Sequence, residues 1–176
     1  MDQKSHDGRI LAISLRSGRF GFAVFEGPDR LLDWGMVFYP LNNGVQRASA
    51  NKRVASLLTL FTPSLVVAGR TRLLNVGNGS GVRPILRSIR REASARMIPV
   101  RLMKSAEMRA VFRPLRATSK HEIASGLTEV FPELLCKLPP KRKIWETEHF
   151  RMVLFDAVAL GFAYWQRYGE RDQTAE

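Results

Sequence analysis

Three short apolar runs at the start of the chain constrain the fold more than any other feature. Arg9 to Leu15 is the first. It is followed by the turn Arg16-Ser17-Gly18, then by Phe20 to Glu26, the turn Gly27-Pro28-Asp29, and Leu31 to Tyr39. Connections this short join only antiparallel neighbours, so the three runs predict a β-meander. The pattern then changes period. Val54, Leu57, Leu58 and Phe61 fall at helical spacing and predict a helix over Val45–Phe61, closed by Pro63. Leu65 to Ala68 reads as a short buried strand, parallel to its neighbour because a helix precedes it.

Further helix and strand signals alternate along the rest of the chain. A helix is expected over Val82–Met97, with Pro84 in its first turn, and a strand over Ile98–Met103. A short helix follows from Ser105 to about Phe112. Ser119 and Glu122 form a capping box opening a helix to about Val130. The longest helix is expected from Trp145 to about Tyr168, with Phe155, Ala159, Phe162 and Ala163 on one stripe. The order predicts one α/β domain over residues 9–169. Its mixed sheet has three antiparallel strands and then parallel ones, with helices on both faces. Residues 1–8 are expected to be a flexible segment and 170–176 a polar tail.

No apolar run approaches the ~18–20 residues that span a bilayer, and the polar start of the chain does not resemble a secretory signal. A lone cysteine, Cys136, excludes an internal disulfide framework, and three scattered histidines disfavour a histidine-based metal site. These features predict a reduced, cytoplasmic protein with no membrane partner. Charge supplies the first functional signal. The chain carries +12, with a pI near 10.8. From Trp34 to His121 sixteen basic residues face only two acids, Glu92 and Glu107. Most of the cations are arginines, suited to bidentate contact with phosphate. A nucleic-acid partner is the expectation, and an acidic protein is the alternative.

Two stretches carry a family resemblance. Ile10 to Val24 resembles the opening hairpin of the RNase H-like superfamily, and within it of the RuvC-type Holliday-junction resolvases. Ser119-Lys120 through Leu138-Pro139-Pro140, and then Phe155-Asp156-Ala157-Val158-Ala159-Leu160, resembles that family's closing segments. The actin-like ATPases share the hairpin logic, but they need two large lobes that 176 residues cannot supply. The resemblance implies phosphodiester hydrolysis by two Mg²⁺ or Mn²⁺ ions, gripped by carboxylates from the first strand, the fourth strand and the last helix. It also implies a two-fold dimer acting on branched DNA.

Here the carboxylates fall short. Ser14 stands where the first-strand aspartate is expected, and the fourth strand ends in Ala68-Gly69-Arg70. Asp156 alone matches. Glu148 is the candidate helper, but on a continuous helix it would sit roughly 12 Å along the axis from Asp156 and about 80° around it. Without metal, Asp156 reads as a buried carboxylate paired with Arg70. The expectation is therefore a degenerate nuclease needing no cofactor. An active Mg²⁺- or Mn²⁺-dependent endonuclease is the first alternative, and a scaffold subunit for an acidic protein the second.

The binding features are better represented. Arg83, Arg87, Arg90 and Arg91 form a cationic stripe opposite Ile85, Leu86 and Ile89. Gly77, Gly79, Ser80 and Gly81 form a loop ahead of that helix, either a phosphate cradle or an ordinary surface loop. Arg16, Arg19, Arg70, Arg72 and Lys120 are expected to extend the positive surface toward the catalytic position. Lys141, Arg142 and Lys143 form a further cluster, phosphate-binding or simply solvated. Most aromatics, Phe20, Phe22 and Phe38 among them, fall at core spacing, leaving Trp34 and Trp145 as the candidates for exposure. Contact with a duplex or junction backbone is thus expected over base stacking.

Overall fold

A computed structural model describes residues 8–39, 44–70 and 82–172. The meander forms as expected, with β1 (Arg9–Arg16), β2 (Arg19–Glu26) and β3 (Leu31–Phe38). Gly18 and Gly27 turn the chain with φ of 74° and 82°, backbone angles that glycine adopts without strain. Then come α1 (Gly44–Phe61), β4 (Leu65–Arg70), α2 (Val82–Ser94), β5 (Val100–Lys104), α3 (Ser105–Phe112), α4 (Lys120–Val130), a 3-10 helix (Pro132–Lys137) and α5 (Met152–Asp172). The sheet order is β3-β2-β1-β4-β5. β1 pairs antiparallel with β2 and parallel with β4, and β5 extends the parallel half.

Alternation along the strands divides the core into two layers. Leu11, Ile13, Leu15, Phe20, Phe22, Val66 and Ala68 pack beneath α1 and α2. Ile10, Ala12, Ala23, Phe25 and Val67 pack on the other face against α3, α4 and α5. Small residues set the depth of α5 in this second layer. A Cβ on Gly21 would fall 2.1 Å from the Val153 carbonyl oxygen, and one on Gly161 would fall 2.1 Å from the Phe25 ring. The helix therefore lies directly on the strands. Among the described residues, no helix is long and apolar enough to cross a membrane.

Two helix boundaries and one side chain depart from the sequence expectation. α5 begins at Met152, not Trp145, because the preceding residues satisfy their polar groups in other ways. The Glu146 carboxylate accepts the Lys143 N–H at 2.9 Å, and His149 Nδ1 accepts the Arg151 N–H at 3.2 Å. Helical periodicity was carried only by the residues from Met152 onward. α2 ends at Ser94, and Met97 takes a left-handed φ of 57° at the close of the following turn. Phe38 is not core. It lies at the sheet edge, 54% exposed, with its ring 6.1 Å from that of Phe150.

Gly21→Ala should destabilise the protein by at least about 1–3 kcal/mol, since the clash is with backbone that no rotamer change relieves. Urea unfolding measures this. A loss below about half a kcal/mol would show that α5 does not depend on the contact.

Candidate functional site

At the C-terminal ends of β1, β4 and β5, under the first turns of α5, lies a cavity of about 650 Å³. Ser14, Arg16, Arg109, Lys120, Glu148 and Asp156 line it together with apolar side chains. Alternation along β1 puts Ser14 and Arg16 on the α5 face, where Ser14 is buried. Tyr39 holds the strand end in place. Its hydroxyl donates to the Arg16 carbonyl at 2.5 Å, and burial pushes the phenol pKa well up, against a smaller opposing effect of the Arg19 charge.

Lys120 is placed by the cap of α4. Ser119 Oγ accepts the Glu122 N–H, and the Glu122 carboxylate accepts the Ser119 and Thr118 N–H groups. Those backbone donors draw the Glu122 pKa down to about 2. Glu122 is thus a capping residue, as its spacing predicts.

Four of the cavity's five charged groups form a chain. Arg16 Nη2 donates to Asp156 Oδ2 at 2.5 Å, and Lys120 Nζ reaches the same oxygen at 3.2 Å. Lys120 Nζ also donates to Glu148 Oε1 at 2.5 Å. The Asp156 side chain is only 12% exposed, so its contacts are screened less than those of a surface pair. Burial pushes the Glu148 carboxyl up. The hydrogen bond and charge of Lys120, with the charges of Arg16 and Arg142, outweigh that and hold it below the ordinary carboxylate range.

This geometry corrects two expectations. Glu148 is not a turn of α5 held far from Asp156. It lies in the non-helical segment before the helix, where both acids reach one ammonium. Asp156 is bound by Arg16 and Lys120, so these two cations, expected on the phosphate-binding surface, are engaged internally. Arg70 closes β4 opposite Lys104.

The remaining candidates are dispersed. Arg83, Arg87, Arg90 and Arg91 are exposed along α2, with Val82, Ile85, Leu86 and Ile89 buried beneath. That helix packs on the opposite face of the sheet from α5, so the stripe does not line the cavity. Arg19 pairs in register with Arg16 and is partly buried, its Nε without a hydrogen-bond partner. Lys141, Arg142 and Lys143 are exposed. Arg72 and the Gly77, Gly79, Ser80 and Gly81 loop lie outside the described residues. Arg109, on α3, is a cavity cation that sequence reasoning missed, because only the tertiary packing of α3 brings it there.

The donor set does not suit a pair of divalent ions. Among the described residues no three His, Cys, Asp or Glu side chains converge, and residues 71–81 contain none of these types. Two protein cations share the Asp156 oxygen that a metal would need.

No protein-family model matches the sequence, and no curated protein matches it. The fold, by contrast, is similar to solved resolvases. Thermus thermophilus RuvC in complex with a Holliday junction substrate aligns with a TM-score of 0.70 at 18% identity, over 93% of this chain and 96% of that one. Another T. thermophilus RuvC structure aligns at 0.67 and 17%, with the same coverage. The yeast mitochondrial Holliday junction resolvase Ydc2 aligns at 0.58 and 13%, over 96% of this chain and 82% of that one. The chain therefore has a RuvC-like, RNase H-like fold.

Asp156→Asn should cost about 2 kcal/mol, because it weakens charge-assisted bonds to two cations. A gain in stability on denaturant unfolding would instead mark a cluster of mutually repelling carboxylates. The Glu148 contribution is complete above the ordinary carboxylate range and is lost as pH falls through its depressed value. Glu148→Gln and the parent protein should therefore converge in stability at acid pH; a constant gap would contradict the pairing.

Proposed function

We propose that this chain is a nucleic-acid-binding protein, suited above all to double-stranded or branched DNA, that grips phosphate without hydrolysing it. The observation that carries this reading is the ion-pair chain from Arg16 through Asp156 and Lys120 to Glu148. In it, protein cations neutralise the carboxylates that metal-dependent hydrolysis would require. The central run of sixteen bases against two acids supports the binding side. So does a fold similar to that of a RuvC solved on a Holliday junction. The exposed α2 arginines supply phosphate contacts on a face separate from the cavity, while Arg109 adds positive charge within it. A two-fold dimer matching a two-fold branched substrate belongs to the same reading. So does a cytoplasmic setting, where an exposed thiol such as Cys136 stays reduced.

A second reading, a nuclease dependent on Mg²⁺ or Mn²⁺, is favoured by one observation: Glu148 reaches the same ammonium as Asp156. A hydrated cation displacing Lys120 would find two carboxylates there.

Binding to a four-way DNA junction, titrated with salt in EDTA and again in Mg²⁺, separates the two. The proposal predicts retained affinity in EDTA, a log–log decrease with salt, and intact strands in Mg²⁺ or Mn²⁺. Replacing Arg83, Arg87 and Arg90 with Ala should weaken binding to all sequences alike and reduce the salt slope by about three. An unchanged slope removes the stripe from the interface. Strand cleavage that disappears in Asp156→Asn establishes the nuclease.

A further inference from the structure

The segment between the Pro139-Pro140 break and α5 holds two large apolar side chains in solvent. Ile144 is 95% exposed and Trp145 80%. They follow directly on Lys141, Arg142 and Lys143, all exposed. The backbone here is fixed by its own hydrogen bonds. The Glu146 N–H donates to the Lys143 carbonyl at 3.1 Å, the Lys143 N–H donates to the Glu146 carboxylate, and Arg142 Nη1 donates to the Glu146 carbonyl at 3.1 Å. This turn presents the indole outward with Lys143 Nζ 5.6 Å from its ring centre. Two residues further on, Glu148 ties the segment to Lys120 and so to the cavity rim. A smaller cavity of about 250 Å³, lined by Lys120, Lys141, Arg142 and Glu148 among others, lies between α4 and this segment.

We propose that this turn is a stacking platform, on which Trp145 receives an unpaired nucleotide base while Lys141, Arg142 and Lys143 hold the flanking phosphates. The proposal rests on the nucleic-acid reading above and extends it from backbone contact to recognition of unpaired nucleotides. Cations interleaved with an exposed aromatic ring are what sequence-tolerant binding of single strands requires, since every base offers a flat face. Two apolar side chains provide far less than the roughly 800 Å² per partner that a stable protein interface buries. Three consecutive cations match a polyanion. Because the turn is already hydrogen-bonded, little ordering is needed on binding.

The test compares Trp145→Ala and Trp145→Phe with the parent protein on three probes at one salt concentration: a single-stranded oligonucleotide, a fully paired duplex and a four-way junction. Trp145→Ala should weaken single-strand binding about tenfold, while Trp145→Phe, which keeps a ring, recovers most of it and duplex affinity changes less than about twofold. Equal losses on single strand and duplex, or no loss on either, would overturn the stacking role while leaving nucleic-acid binding intact. So would a variant that loses only self-association or vesicle binding. If the parent protein holds none of the three probes, the nucleic-acid reading fails and this inference fails with it.

Discussion

The depth at which α5 lies on the sheet determines the rest of the site. Gly21 beneath the Val153 carbonyl and Gly161 beneath Phe25 remove the side chains that would otherwise hold the helix away. With the helix in contact with the strands, Asp156 meets the end of β1 at hydrogen-bonding distance from Arg16. The Tyr39 bond to the Arg16 carbonyl fixes one side of that meeting, and the capping box that starts α4 at Lys120 fixes the other. Local rules thus place each charged group, and close packing brings them together.

The electrostatic consequence follows from proximity and partial burial. A carboxylate brought under a helix and away from water needs compensation. It can come from bound cations or from the chain's own. Here Arg16, two residues after Ser14, and Lys120, at the head of α4, supply it from the chain itself. A protein cation is always present, so the site keeps its charge balance at any divalent-ion concentration. A divalent ion entering the cavity would have to dislodge Arg16 or Lys120 and leave it facing a second positive charge. The site is therefore organised to hold itself together.

Much of the fold was legible in the sequence, because its signals are local. The turns at Gly18 and Gly27, the alternation of β1 and β2, the Ser119–Glu122 cap and the α2 stripe each declare themselves within a few residues. The site was legible only in part. Ser14 and Asp156 could be placed by position in their elements, but the partners of Asp156 could not, since Arg16, Lys120 and Arg109 come from three separate elements. Glu148 was misplaced because a run of mixed residues before a strong helix reads as more helix. Hydrogen bonds from the Lys143 and Arg151 N–H groups to the Glu146 and His149 side chains end that continuity, and they depend on side-chain geometry rather than periodicity. The cationic stripe of α2 opposite Ile85, Leu86 and Ile89 was legible from spacing, but which side of the sheet it occupies depends on the crossover connection.

The proposal that Arg16 and Lys120 balance Asp156 and Glu148 in place of metal ions can be checked by thermal unfolding of the parent protein in EDTA and in rising millimolar Mn²⁺. A ligand that binds only the folded state raises the melting temperature with concentration. With Asp156 already held by Arg16 and Lys120, the midpoint should not move across the titration. A saturable rise, abolished when Asp156 is replaced by Asn, would contradict it.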